Sequence, residues 1–175
     1  MQHFGIYSGT FDPVHAGHLA FADMAHDAAG LNKVIFMPEP QPRGKDNVTP
    51  VAIRISQLAQ IINPSKYDTY QAKHPRFQVT ETLAELRNQY PGVRLSFLVG
   101  SDVAMTLPSW PDINELTRQH QIIVGMRSTD KRTDIETVLQ RLGARYIILT
   151  TPHADMSSRQ IRSLSQRGLG IVADS

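Results

Sequence analysis

The segment SGTFDPVHAGHL, residues 8–19, carries the densest group of side chains suited to binding phosphate. Its glycines allow the backbone to approach a ligand closely, and the helix expected after it offers free N–H groups and the positive end of a helix dipole. His15 and His18 are three residues apart, so in the first turn of a helix they share a face and can donate N–H groups to negative charge developing on a phosphate. The segment therefore predicts a phosphate site between Gly9 and His18.

Two alternatives for this segment stay open on residue types alone. Asp12 and Pro13 are typical of a turn that leads into a helix, in which case the histidines take no part in chemistry. The other alternative is a metal site, but zinc normally takes three protein ligands, and no third histidine or carboxylate follows at a motif spacing. We therefore predict no metal site made by protein side chains.

A second candidate anion site lies near the C-terminus, in MSSRQIRSL, residues 156–164. Ser157 or Ser158 is suited to cap the start of a helix, where free N–H groups and the helix dipole attract an anion. Arg159 and Arg162 would add guanidinium groups, which pair well with phosphate oxygens. The alternative for this segment is a solvated basic helix surface without a ligand.

Composition excludes several classes of function. The 175 residues include no cysteine, so disulfides, a thiolate zinc site and a cysteine nucleophile are absent. The formal net charge of +2 is too small to require a nucleic-acid partner. No apolar run approaches the roughly 20 residues that span a bilayer, and the N-terminus has no signal-peptide pattern. We expect a cytoplasmic protein with neither a nucleic-acid nor a membrane partner.

The positions of apolar residues predict strands that alternate with helices. These strands are apolar throughout, which is typical of a parallel sheet covered by helices on both faces. We therefore predict a Rossmann-like α/β fold and one domain over residues 1–175. Such sheets bind ligands beyond the C-terminal ends of their strands. The predicted strands are HFGIYS, KVIFMP, RLSFLVG, QIIVGMR and RYIILT, and the segments that follow them are 9–18, 38–45, 100–102, 127 and 150 onward.

The string GTFDPVHAGH matches the HxGH nucleotidyltransferase motif, and the chain resembles the nicotinate mononucleotide adenylyltransferase family, with phosphopantetheine adenylyltransferases as relatives. The resemblance implies that this loop, including Gly9 and Phe11, binds the ATP triphosphate. It also implies that His18 stabilises the transition state, that His15 contacts phosphate and that Thr10 helps to place the reacting phosphates.

Two further segments are similar to motifs of that family. MSSRQIRSL resembles the phosphate-binding SSTxIR motif, which would give Ser157, Ser158, Arg159 and Arg162 contacts with ATP, although Arg159 stands where the family has threonine. The other segment, VGSDVAMTLPSW, resembles the family's GxD…W stretch.

In the GxD…W stretch the resemblance places Gly100 and Asp102 beside the nucleotide and Trp110 on the pyridine ring of the acceptor. It also places Arg127, at the end of the next strand, near the adenosine. Helix capping is the alternative role for Asp102, and core packing is the alternative for Trp110.

The acceptor half departs from the family pattern at two places. The PPHK loop is replaced by QPRGK, in which Lys45 and Arg43 can supply positive charge but the histidine is missing. The segment SYTxxTL is replaced by FQVTETL, in which only Thr82 and Leu83 match, so Thr82 is the acceptor-binding candidate there.

The resemblance implies a transfer of AMP from ATP to nicotinate or nicotinamide mononucleotide, with Mg²⁺ and with release of pyrophosphate, in NAD biosynthesis. His18, His15, Lys45 and Arg162 would be the catalytic residues, and a small mononucleotide the partner. Transfer to another phosphate monoester such as phosphopantetheine, or nucleotide binding without catalysis, stays open. Whether the chain forms a homo-oligomer, and whether residues 38–48 act as a lid, also stays open.

Overall fold

The structure, a computed structural model, describes residues 1–152 and contains a six-stranded parallel sheet. The predicted Rossmann-like α/β class is confirmed by this sheet and by the helices between its strands. That residues 1–175 form a single domain stays a prediction. The strands are β1 His3–Gly9, β2 Lys33–Pro38, β3 Tyr67–Thr69, β4 Arg94–Gly100, β5 Gln121–Met126 and β6 Arg145–Thr150.

The strand order in the sheet is β3-β2-β1-β4-β5-β6, and every pairing is parallel. The direction in which the chain adds strands reverses between β1 and β4, which makes the ends of these two strands the switch point where such sheets bind ligands. Strand β3 was not predicted, because its three residues lie in a polar stretch with no buried-strand pattern. It adds to the edge of β2, where Tyr67 lies opposite Val34.

Six α-helices connect the strands. Helix α1 ends at Gly30, whose φ of 59° is the left-handed conformation that glycine adopts without strain. Helix α2 begins after Pro50. The helices are α1 Ala16–Ala29, α2 Val51–Ile61, α3 Val79–Gln89, α4 Ser101–Thr106, α5 Ile113–Gln119 and α6 Arg132–Arg141, with a 3-10 helix over Leu107–Ser109.

Two separate clusters of buried apolar side chains show that helices cover the sheet on both faces. One cluster joins alternate strand residues such as Ile6 to Leu83 of α3. The other joins the intervening residues, such as Tyr7, to Phe21 of α1 and Leu58 of α2. The continuous apolar strands in the sequence are explained by this two-sided burial. In the part of the chain described, no helix is both long and apolar enough to cross a membrane.

Candidate active site

A cavity of about 820 Å³ opens at the C-terminal ends of β1 and β4, at the switch point of the sheet. Its wall includes the ends of these strands, the loop after β2 and the segment before α3. The residues predicted from the sequence that line it are Gly9, Thr10, Lys45, Gly100, Asp102 and Trp110. These six predicted residues are thus brought into one cavity, whereas Phe11, His15, His18, Thr82 and Arg127 are not among the residues that line it.

The loop after β1 turns back sharply at Phe11. Its φ of 46° lies in the left-handed region, and its ring is 2% exposed, packed edge-on against Tyr7, His18 and Phe36. A Cβ atom on Gly9 would lie 3.0 Å from the Phe11 ring, so a glycine leaves space for this turn. Because the Phe11 side chain is part of the core, its predicted contact with ATP would have to come from its backbone.

His15 and His18 are stacked at the start of α1, with ring centroids 3.6 Å apart. The backbone N–H of His15 donates to Nδ1 of His18 over 3.2 Å. A nitrogen that accepts this bond carries no proton, so the neutral His18 imidazole carries its proton on Nε2. His18 therefore keeps one defined N–H donor for a ligand.

Burial keeps both imidazoles neutral. Burial, together with the charges of His15 and Lys45, lowers the pKa of His18 to about 3. Burial also lowers the pKa of His15, whose Nδ1 has no hydrogen-bond partner within the described residues. At neutral pH the pair therefore offers hydrogen bonds to an anion without a fixed positive charge.

Lys45 supplies the fixed charge that the histidines lack. Its ammonium group donates to the Thr10 hydroxyl over 2.7 Å, across a sequence separation of 35 residues. Its charge also contributes to the lowered pKa of His18, which shows that the two groups lie close together. The loop after β2 thus brings a cation to the predicted phosphate-binding loop, residues 9–18.

Gly100, Asp102 and Arg127 form a second group at the ends of β4 and β5. Gly100 caps α4, so Asp102 is not the N-cap residue and the capping alternative is wrong. The Asp102 carboxylate instead pairs with Arg127, with Oδ2 and Nη2 3.3 Å apart. Asp102 is 68% exposed and lines the cavity, so the pair lies at the surface beside it.

Trp110 lines the cavity and is half-buried. Its ring centroid lies 5.6 Å from that of Phe77 at an angle of 45°, and its indole N–H donates to the Thr106 hydroxyl over 3.2 Å. The ring also packs against the core. Core packing and a place in the cavity wall, which the sequence left as alternatives, are therefore both present.

The cytidylyltransferase-like family matches residues 6–164 of the chain. The chain belongs to this family. A protein of Thermomicrobium roseum named probable nicotinate-nucleotide adenylyltransferase is 33% identical over 93% of this chain and 79% of its own length. A protein of Clostridium novyi with the same name is 32% identical over 93% of this chain and 86% of its own length.

Solved structures support the same fold. The nicotinic acid mononucleotide adenylyltransferase of Plasmodium falciparum, in complex with NaAD, superimposes with a TM-score of 0.78 at 20% identity. The alignment covers 94% of this chain and 84% of that one. At 20% identity, this similarity shows that the two proteins share a fold and nothing more specific.

The Thr82 side chain is turned away from the cavity of this cytidylyltransferase-like protein. Its residue is 2% exposed, and its hydroxyl accepts the backbone N–H of Gln78 over 3.1 Å at the start of α3. The wall at this point is formed by Gln78 and Val79. Thr82 therefore does not line the cavity as predicted. It instead supports Gln78, which does.

Several residues that line the cavity of this family member were not assigned a role from the sequence. Glu39 accepts hydrogen bonds from the Phe77 N–H over 3.0 Å and from the Ser8 hydroxyl over 3.4 Å, which ties the ends of β1 and β2 to the segment before α3. Arg76 also lines the cavity, beside Phe77. Glu39 lies in a segment that follows a strand, which is a usable signal, whereas FQVTETL gave none for Phe77. Among the residues not assigned a role are Glu39, Arg76, Phe77 and Gln78.

The second anion site predicted from the sequence lies outside the described residues. Ser157, Ser158, Arg159 and Arg162 all follow residue 152, the last one described. Their contacts with ATP therefore stay predictions from the resemblance of MSSRQIRSL to the family motif.

The buried His18 should make the protein less stable in acid. Its pKa is about 3 in the folded chain and 6.5 as its ordinary value, so between these values the unfolded chain binds a proton that the folded chain does not. Stability is then fully present above pH 6.5 and falls as the pH drops, by up to about 1.4 kcal/mol per pH unit for this one group. Urea unfolding of wild type and His18→Asn at pH 7, 6 and 5 checks this. We expect a shallower pH dependence in the variant, and equal slopes would contradict it.

Proposed function

We propose that this chain transfers AMP from ATP to nicotinate mononucleotide and releases pyrophosphate, a reaction of NAD biosynthesis. One observation carries the proposal: a single cavity holds phosphate-binding groups at one end and an aromatic platform at the other. Thr10 and Lys45 lie at the first end, beside the stacked histidines, and Trp110 and Phe77 at the second. The names of the relatives from Thermomicrobium roseum and Clostridium novyi agree with this activity.

The proposed reaction needs no protein nucleophile. An oxygen of the acceptor phosphate attacks the α-phosphorus of ATP, the bond from that phosphorus to the bridging oxygen breaks, and pyrophosphate leaves with the electron pair. Catalysis then consists of placing the two substrates in line and offsetting the charge that builds up on the phosphates. His18 would donate from Nε2, His15 would contact phosphate beside it, and Lys45 would contribute its ammonium charge.

The remaining ATP contacts follow from the same arrangement. The backbone of residues 9–11 would surround the phosphates, while Gly100, Asp102 and Arg127 would border the adenosine. A Cβ on Gly100 would come within 2.9 Å of the Asp102 carboxylate, so the glycine leaves the space beside this group open. On the family resemblance, Ser157, Ser158, Arg159 and Arg162 would complete the triphosphate site.

We propose that Mg²⁺ enters with ATP. Residues 1–152 hold no group of three or more His, Cys, Asp or Glu side chains placed to bind a metal ion. A Mg²⁺ ion would then be held mainly by phosphate oxygens and water, since Mg²⁺ keeps several waters and is seldom bound by a cage of protein ligands alone. When bound there, it would neutralise part of the triphosphate charge.

The test is pyrophosphate release from ATP and Mg²⁺, with nicotinate mononucleotide, nicotinamide mononucleotide and phosphopantetheine offered separately. We expect release with nicotinate mononucleotide to be fastest. Faster release with either of the other two compounds would identify that compound as the acceptor and leave the proposed adenylyl transfer unchanged. Measurable ATP binding without release from any acceptor would favour a nucleotide-binding protein that does not catalyse the transfer.

A different acceptor is the second candidate, and one observation favours it. The segment FQVTETL departs from the family's SYTxxTL, and the structure places its first three residues, Phe77, Gln78 and Val79, in the cavity wall. The Phe77 N–H, moreover, is already bonded to Glu39. The acceptor side of this cavity thus differs from the family pattern where the acceptor would bind.

Trp110→Ala should weaken binding of the acceptor while leaving ATP binding almost unchanged. Stacking of a base or similar ring on an aromatic side chain contributes about 1–3 kcal/mol, so we expect the KM for the acceptor to rise about tenfold. Initial rates at varied acceptor and at varied ATP separate the two effects. Trp110→Phe, which keeps an aromatic face, should recover most of the loss. An equal rise in both KM values would show that Trp110 acts through the fold instead.

A further inference from the structure

Arg54, on α2, is a fully buried cation with an exposure of 0%. Buried charges are costly and normally pair with a charge of opposite sign. Arg54 has no ion pair with any residue that the structure describes. All its hydrogen bonds there go to backbone carbonyl oxygens instead. Such an arrangement holds backbone in place and leaves the guanidinium charge without a carboxylate in contact.

The carbonyl groups that Arg54 binds belong to three segments around the cavity. Nη1 donates to the carbonyl of Thr10, in the phosphate-binding loop. Nη2 donates to Glu39 over 2.8 Å and to Pro40 over 3.5 Å, where the loop after β2 begins. Nε donates to Thr49 over 2.7 Å, where that loop ends. One rigid, planar group thus fixes both ends of the loop and the phosphate-binding loop together.

This arrangement determines where Lys45 can lie. Lys45 belongs to the loop whose two ends Arg54 holds, and its ammonium group donates to the hydroxyl of Thr10, whose carbonyl Arg54 also holds. Arg54 therefore holds both the loop that carries Lys45 and the residue that Lys45 contacts, Thr10.

Two carboxylates offset the buried charge without forming an ion pair with it. A guanidinium stays protonated in proteins, and in a poorly solvated position its field is weakly screened. Asp12 and Glu39 are the acidic groups whose charges act on it most. The Asp12 carboxylate accepts the Thr49 N–H over 3.1 Å, and the Glu39 carboxylate accepts the Phe77 N–H.

We propose that Arg54 is a positioning residue of the transfer reaction. It places Thr10 and Lys45 relative to each other through its bonds to three backbone segments, without contact to the substrate. The expected effect of Arg54 on turnover rests on the proposed function. Its expected effect on phosphate binding can be measured without an acceptor.

The test compares Arg54→Lys with a control that removes buried volume from the same helix. Lysine keeps the charge but cannot reach three segments at once, so we expect kcat to fall at least about tenfold with little change in the KM for the acceptor. Leu58→Ala lies one turn along α2 and is also fully buried. It should lower the thermal unfolding midpoint while keeping kcat per folded molecule. If the lysine variant does not fold, Arg54→Gln, which has no charge to bury, takes its place in the comparison.

Binding of inorganic tripolyphosphate, measured by calorimetry, separates this inference from the proposed function. We expect affinity to fall at least about fivefold in the Arg54 variant and to stay near wild type in Leu58→Ala. A loss in kcat or in this affinity beyond that of Leu58→Ala supports the inference. Equal behaviour of the two variants in both measurements overturns it. Should wild type release no pyrophosphate with any acceptor, the proposed function fails while the tripolyphosphate comparison still decides the role of Arg54.

Discussion

His18→Ala is expected to lower kcat at least about a hundredfold with the fold intact. The imidazole is neutral, since burial lowers its pKa to about 3, and its Nδ1 is occupied by the His15 N–H, so Nε2 is its donor. Removal of one donor that stabilises transition-state charge typically costs about 2.7 to 4 kcal/mol in the barrier, which is about a hundredfold to a thousandfold in rate. Steady-state pyrophosphate release and circular dichroism measure the rate and the fold.

His26→Ala is the matched control for this prediction. It removes the same side chain from the same helix about two turns further on, where His26 pairs with Asp27 in the last turn of α1. Its rate should stay within about twofold of wild type. A near-normal rate in His18→Ala would remove His18 from the mechanism and leave the phosphate charge to Lys45 and the backbone.

The hydrogen bond from His15 makes the His18 prediction more specific. Because Nε2 is the donor, a glutamine, whose amide nitrogen can reach the position of Nε2, should keep more activity than an asparagine, whose amide lies nearer Nδ1. We expect His18→Gln to exceed His18→Asn in kcat by several-fold. The reverse order would mean that the ring acts through Nδ1 once ATP binds.

Much of the sheet could be predicted because it depends on local patterns. Five strands with continuous apolar runs were predicted from the sequence, and their two-sided burial explains why the runs are continuous. The exception is β3, whose three residues pair with β2 without an apolar pattern of their own. The position of the cavity also followed from the sequence, because ligands bind where strands of such sheets end.

The roles that were missed depend on contacts between residues distant in the chain. Arg54 bonds to the Thr10 carbonyl across a sequence separation of 44 residues, and no pattern on α2 indicates this. Glu39 accepts the Phe77 N–H across 38 residues. Trp110 could be assigned to core or cavity only once its neighbours were known. Residue types identified the groups able to bind phosphate, whereas tertiary contacts decide what holds them in place.

Lys45→Met is expected to lower kcat on the order of a hundredfold, because it removes the ammonium group nearest the phosphate-binding loop. Nζ lies 2.7 Å from the Thr10 hydroxyl, at the mouth of the cavity, where it can exchange that bond for one to a phosphate oxygen. A charged donor placed at transition-state charge contributes on the scale already given for His18. Steady-state kinetics with varied ATP measure the loss.

Lys73→Met is the control, since Lys73 is exposed and lies outside the cavity wall. Lys45→Met should also raise the pKa of His18, because the Lys45 charge is one of the causes that lower it, and NMR titration of the imidazole follows this change. A raised pKa together with a lost rate places Lys45 in the reaction. A raised pKa with a normal rate would show that Lys45 lies beside His18 but does not act on the phosphates, and the charge would then have to come from the guanidinium groups of the C-terminal motif.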